Sequence, residues 1–129
     1  MARVTHQALT SGLDAMGQAR RHVRDQLAVA LSASQLTAVE LMTSELVSNA
    51  VKHADLMEGD LIGLDIYVEP QTVRVSVVDA GPGFDLDGST FGGEIGGWGL
   101  VVVDRIADRW GIHATHPHSV WFEMDRVGP

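Results

Sequence analysis

From Leu13 the apolar residues Met16, Ala19, Val23, Leu27 and Ala30 recur three or four apart. That spacing predicts one stripe of an amphipathic helix ending near Leu31. Ser32-Ala33-Ser34 breaks the pattern and offers an N-cap. A second helix is predicted over Gln35 to His53, with Leu36, Val39, Met42, Leu46 and Ala50 as its buried stripe. Upstream, Arg3 to Leu9 reads as a short edge strand closed by the breaker Ser11-Gly12. The period changes after Asp60: Leu61 to Val68 reads as a strand, Pro70-Gln71 as a turn, and Thr72 to Asp79 as a second strand. In that last segment Val73, Val75 and Val77 alternate with Arg74 and Ser76, the clearest strand signal in the chain. Residues 80–99 carry glycines at 81, 83, 88, 92, 93, 96, 97 and 99 and are expected to form a long loop. A third helix is expected over Leu100 to Ala107. Trp110 to Thr115 and Ser119 to Met124 then make a closing hairpin around His116-Pro117-His118.

The predicted order is therefore β-α-α-β-β-loop-α-β-β. It implies an α+β protein, a two-layer α/β sandwich with its helices on one face of a mixed, mainly antiparallel sheet. No repeat or linker interrupts the 129 residues, which are read as a single domain, 1–129. A chain of this length buries roughly two-thirds of its unfolded surface and needs no covalent staple. It has no cysteine, which removes a disulfide framework, a thiolate zinc site and a thiol nucleophile, and suits a reducing cytoplasm. No apolar run approaches the ~18 residues of a membrane span, and the N-terminus carries no signal core. With 9 Lys+Arg against 17 Asp+Glu the net charge is −8, so direct DNA binding is not expected. The one arginine cluster, Arg20, Arg21 and Arg24, reads as a solvated helix face.

Three segments carry candidate chemistry. Glu45, Asn49 and His53 lie four apart and share one polar stripe of the second helix. An amide oxygen there can bind a hard cation, and a carboxylate one turn away can orient or deprotonate a hydroxyl. Spacing alone favours a plain solvent-facing stripe. Asp79-Ala80-Gly81-Pro82-Gly83 places an acid at a strand end before alternating glycines. The acid can accept a hydrogen bond from an exocyclic amino group, and the glycines let backbone approach a ligand; an ordinary Asp turn is the alternative. Gly96-Gly97-Trp98-Gly99-Leu100 opens directly into a helix, whose free amides suit phosphate. Neither a Rossmann fingerprint nor a Walker P-loop is present.

Together, Glu-x-x-x-Asn on a helix, Asp-x-Gly-x-Gly after a strand and Gly-x-Gly opening a helix resemble the Bergerat ATP-binding fold shared by gyrase, MutL and histidine kinases. The size and the segments 44–54 and 107–111 resemble the small anti-sigma-factor serine kinases, in the branch abundant in filamentous actinobacteria. The resemblance implies ATP with Mg²⁺ held by Asn49, Glu45 as general base toward a serine hydroxyl, and Asp79 reading adenine in a pocket shaped by Gly81 and Gly83. It implies phosphate contacts from Gly97 and Gly99, and an assisting role for Arg20 in phosphoryl transfer. It also counts Lys52, His53, Trp98, Leu100 and Ser119 among the nucleotide-binding positions, Ser119 as a hydroxyl supporting Asp79. Lys52 or Arg105 would offset the repulsion between ATP and a chain of charge −8.

The function so implied is an ATP-dependent protein serine/threonine kinase, a transferase. It would sequester a sigma factor and phosphorylate an anti-anti-sigma (STAS-type) antagonist, and so regulate transcription. A homodimer through an exposed sheet or helix surface is implied as well. The alternative is a nucleotide-gated binding regulator without phosphotransfer. A sensor histidine kinase fragment is disfavoured because no phosphoacceptor helix pair precedes the nucleotide segment. Residues 84–95 would form a nucleotide lid that orders with ligand. His113, His116 and His118 would be splayed by a strand and a turn, Trp110 and Trp121 would be core or cross-strand partners, and the methionines would fill the core.

Overall fold

A computed structural model describes residues 3–10, 14–53, 61–79, 97–113 and 118–126. In chain order the elements are β1 (Arg3–Thr10), α1 (Ala15–Leu27), α2 (Ala33–His53), β2 (Leu61–Val68), β3 (Thr72–Asp79), α3 (Gly97–Ile106), β4 (Arg109–His113) and β5 (His118–Asp125). The sequence order of helices and strands is the one expected. The strands form one sheet in the order β1-β2-β3-β5-β4.

Every pairing among the described residues is antiparallel, in keeping with the mainly antiparallel sheet expected. Helix α3 does carry the chain over so that β4 runs in the same direction as β3. β5 then returns between them, and the two co-directional strands never share a ladder.

One side of the sheet is apolar in cross-strand rows. Ile66 faces Val75, which faces Phe122, which faces Trp110; beside them run Leu64, Val77, Val120 and Ile112. Onto these rows pack Ala15, Ala19, Val23 and Leu27 of α1 and Val39, Met42, Leu46, Val47 and Ala50 of α2, all buried. Leu9 alone from β1, and Leu100 and Val103 from α3, complete this core. The helices thus lie on one face of the sheet, as their single stripes require.

Local chemistry fixes the boundaries. The Ser32 hydroxyl accepts the Gln35 amide at 3.2 Å while the Gln35 side chain accepts the Ser32 amide at 3.4 Å, a reciprocal capping box that starts α2 at Ala33. Helix α1 ends at Leu27, four residues short of the expected Leu31. The Ala30 and Leu31 amides both donate to the Leu27 carbonyl, so the chain curls and brings Leu31 back into the core as a non-helical residue. Helix α3 begins at Gly97, three residues earlier than Leu100, so the glycines belong to its first turn. Trp110 and Trp121 are not cross-strand partners. Trp110 packs on the core and donates to Asp104 at 2.9 Å, whereas Trp121 faces Gly111 on the other side of the sheet. A Cβ at Gly111 would stand 2.7 Å from the Trp121 ring, so only glycine lets the ring lie flat there.

The N-terminal end of the helix layer is tied down. Gln35 donates to the Asp125 carbonyl at 2.9 Å, and Arg126 donates to the carbonyls of Ala30, at 3.1 Å, and Glu69, at 2.8 Å. These bonds join the α1–α2 turn, the β2–β3 turn and the end of β5. Between β1 and α1 the packing is more polar. Gln7, Gln18, Arg21, His22 and Asp25 line a shallow hollow, and buried Thr5 Oγ1 and His22 Nε2 have no hydrogen-bond partner there. No helix among the described residues is long and apolar enough to cross a membrane.

Two outcomes follow from these contacts. Ser32→Ala removes the box and is expected to lower unfolding free energy by about 1 kcal/mol in urea titration, with Ser32→Gly losing less. Burial lowers the His22 pKa from its ordinary 6.5, with Asp25 pulling the other way. The unfolded chain therefore takes up a proton before the folded one does, so stability is fullest above 6.5 and falls as pH drops below it. Urea midpoints at about pH 7.5 and about pH 5.5 should separate less in His22→Gln than in wild type.

Candidate functional site

Helix α2 and strand β3 both start at the tied end and run the same way. Gln35 near the start of α2 bonds Asp125, which pairs with Thr72 at the start of β3. At about 1.5 Å per residue in a helix and ~3.4 Å in a strand, the two elements span similar lengths. Their ends, His53 and Asp79, therefore reach the same edge of the sandwich. Helix α3 packs against α2 and runs back toward Arg109, whose guanidinium bonds Asp125 at the tied end. Its N-terminus, Gly97-Trp98-Gly99-Leu100, thus points toward the end of the sandwich where α2 and β3 finish.

The topology in this way gathers Glu45 and Asn49 of α2, the end of β3 and the start of α3. Glu45 and Asn49 are half-buried at the rim of the apolar stripe formed by Met42, Leu46 and Ala50. Asn49 lies on the flank of α2 that continues from Met42, and Leu100, in the first turn of α3, is buried. The first amides of a helix lack partners within the helix, so Gly97 to Leu100 present a row of donors and the positive end of a helix dipole. Such a row suits an anion. Lys52 and His53 lie in the last turn of α2 and Asp79 in the last position of β3. Gly81, Gly83, Pro117 and the expected lid 84–95 lie outside the described residues.

Three expected residues fall elsewhere. Arg20 donates to Ser44 Oγ at 3.2 Å across the α1–α2 seam. Ser44 precedes Glu45 but sits roughly 100° around the helix from it, so Arg20 is bound on the α1 flank of α2. Ser119 pairs with Val78 and His113 rather than with Asp79, whose partners are Ile62 and His118. It lies with Ser76 and Trp121 along a groove of about 600 Å³ on the uncovered sheet face, away from the gathered motifs. Arg105 occupies the last turn of α3, about 12 Å along the axis from Gly97, at the opposite end of the helix from its first amides.

The arginine cluster is more structured than a plain solvated face. Arg24 pairs with Glu40 at 2.7 Å and Arg21 with Asp14 at 3.1 Å, which leaves each arginine with a different role. Sequence reasoning missed the Arg20–Ser44 contact because i and i+1 on a helix face different ways. The spacing that selected Glu45 and Asn49 passed over Ser44.

Residues 9–124 match the family described as the histidine kinase-like ATPase domain. Among curated proteins none matches. Among solved structures, the crystal structure of the RsbU and RsbW domains of Rv1364c from Mycobacterium tuberculosis superposes with a TM-score of 0.70 at 20% identity. The alignment covers 96% of this chain and 32% of that one, so this chain spans about a third of that protein's crystallised length. At that identity the likeness is one of fold.

Proposed function

The chain belongs to the histidine kinase-like ATPase domain family, and from that premise we propose that it is an ATP-binding anti-sigma regulator with protein-serine kinase activity. What supports the reading is that α2 and β3 run toward one end of the sandwich and that α3, packed on α2, points its first turn toward the same end. A nucleotide asks for three things in one place: a hydrogen-bond acceptor for adenine, donors for phosphate, and an oxygen ligand for its metal. Those residue types stand on the three elements.

Asp79 accepts from the adenine amino group, which distinguishes ATP from GTP. The amides of Gly97 to Leu100 bind phosphate oxygens at the helix N-terminus. Asn49 offers its amide oxygen to Mg²⁺, which when bound neutralises phosphate charge. Lys52 and His53 line the adjoining turn of α2. Glu45, one turn before Asn49, orients the incoming serine hydroxyl and takes its proton as oxygen meets the γ-phosphorus and the bond to the β-phosphate oxygen breaks. Arg20, held at Ser44, acts from the neighbouring seam and assists only by moving off that hydroxyl.

A chain of charge −8 repels a free nucleotide, so affinity must come from short-range groups. A micromolar site, worth about −8 kcal/mol, is within reach of adenine burial and a few charge-assisted hydrogen bonds. The partners that follow from the reading are a sigma factor, held by this chain, and an anti-anti-sigma protein whose serine receives the phosphate. The Rv1364c structure, named for its RsbU and RsbW domains, supports the fold on which this assignment rests.

Calorimetric titration of Mg-ATP is expected to show binding by wild type, none by Asp79→Asn, and none by wild type with GTP. Failure of folded wild type to bind Mg-ATP would overturn the proposal. Glu45→Ala should keep ATP affinity within about threefold while transfer of labelled γ-phosphate to a STAS-type antagonist falls by at least ~100-fold. Equal transfer by wild type and variant would remove Glu45 as base. Binding with no transfer by either protein would make the chain a nucleotide-gated regulator without kinase activity.

A further inference from the structure

The sheet ends on one side at β1, and the pairing pattern shows what that edge offers. The Glu69 amide donates to the Thr72 carbonyl at 2.9 Å, so the odd-numbered residues of β2 bond β3 and the even-numbered ones bond β1. The β1 partners of Ile62, Leu64, Ile66 and Val68 are Leu9, Gln7, Thr5 and Arg3. Val4, His6, Ala8 and Thr10 therefore direct their N–H and C=O groups away from the sheet. Among the described residues no strand pairs with that side, and the Gln7 side chain donates to the Ala8 carbonyl at 3.3 Å. We propose that β1 receives an extended segment of a partner protein as a further strand, with an Asn or Gln side chain of that segment seated in the hollow between β1 and α1. The inference does not depend on nucleotide binding.

The edge is built without the usual obstructions to such pairing. β1 pairs with β2 one for one over its whole length, so it has no bulge, and Arg3–Thr10 contains no proline, lysine or acid. All its residues but Thr5 and Leu9 are exposed. The opposite edge differs: β4 has five residues, and its Arg109 is tied to Glu123 and Asp125. On an open edge of this kind main-chain bonds supply affinity, and pockets for alternate side chains supply selectivity.

The hollow is such a pocket. Arg20 and Arg24 face α2, where they meet Ser44 and Glu40. Gln18, His22 and Asp25 lie on the other flank of α1 and, with Gln7 and Arg21, line about 230 Å³ beside β1. A strand added ~4.8 Å outside β1 turns every second side chain to the helix side of the sheet, toward this hollow. The chemistry there selects an uncharged amide. At His22 the loss of hydration outweighs the attraction of Asp25, so its pKa falls and the hollow disfavours a cation even beside a carboxylate. An anion meets Asp25 itself. A carboxamide carries no charge, and its paired donor and acceptor match the mixture that Gln7, Gln18, Arg21 and Asp25 present. Thr5 Oγ1 and His22 Nε2, buried in the same seam, have no partner, so hydrogen-bonding capacity is left over in the free chain.

The test selects a displayed library of random peptides, about twelve residues long, on the full chain without nucleotide, and measures the most enriched peptide by fluorescence anisotropy. That peptide is expected to carry Asn or Gln, and changing this residue to Leu, Lys or Asp should weaken binding at least fivefold. Ala8→Pro removes an outward N–H while leaving the ladder to β2 intact and should weaken binding at least tenfold. Val29→Lys, in the fully exposed α1–α2 turn, should leave it unchanged. Circular dichroism identifies a variant that fails to fold. N-methylation of alternate peptide amides reads the same backbone bonds on the unaltered chain, so one alternate set should abolish binding and the other preserve it. No enriched peptide, binding that survives folded Ala8→Pro or both sets of N-methylation, or indifference to the amide side chain overturns the proposal. So does an edge already taken by a second copy, seen as a dimer that Ala8→Pro makes monomeric.

Discussion

The constraint on which the rest of the molecule depends is the seating of α2 along the apolar rows of the sheet. Val39, Met42, Leu46 and Ala50 form one stripe, and a stripe can be buried against the sheet in only one rotational setting of the helix. Burying a side chain of this kind is worth ~1.5–3 kcal/mol, so another setting would forfeit several such terms at once. The same setting fixes everything else on the helix. Glu40 and Ser44 are turned toward α1, where Arg24 and Arg20 meet them, and Asn49 is turned to the opposite flank. The capping box at Ser32 and the bonds from Gln35 and Arg126 set the position along the axis, so both rotation and register are specified.

Function follows from direction as much as from contact. Because α2 and β3 run the same way from a tied end and α3 runs against them, the ends of α2 and β3 and the beginning of α3 all point toward the free end. The tied end is dense in side-chain-to-backbone bonds. The free end contributes the first amides of a helix, which have no partner within that helix, and that is where a ligand can bind. The two faces of the sheet divide the work in a similar way. One is closed by helices; the other is polar, with Arg74, Glu123 and Arg109 satisfying one another.

Much of this was legible in the sequence. The strands Leu61–Val68 and Thr72–Asp79 fall where the alternation predicts, because a half-buried strand writes its pleat directly into residue order. The buried stripe of α2 is likewise the one predicted. Boundaries were less legible. Leu31 carries the helical period of α1 but is brought to the core by a turn, and Gly97 and Gly99 read as loop because glycine weakens a helix, although here they form its first turn. Pairings that depend on the third dimension were not legible at all. Ser119 is two residues from Trp121 and shares its face, but only the register shows that it pairs with Val78, one residue before Asp79, and lines the groove on the uncovered side of the sheet. Arg20 follows the same rule: its partner Ser44 is set by the crossing of two helices, which no local spacing encodes.

The central claim is that α2, the end of β3 and the first turn of α3 build one ATP site at the free end of the sandwich. Hydrogen–deuterium exchange with and without Mg-ATP tests it most directly, because it reads the backbone of all three elements at once. The account predicts slowed exchange in peptides covering residues 45–53 and 97–103, with peptides covering 61–68 and 118–125 unchanged. Protection confined to the strands, or none at the start of α3 under saturating nucleotide, would contradict it.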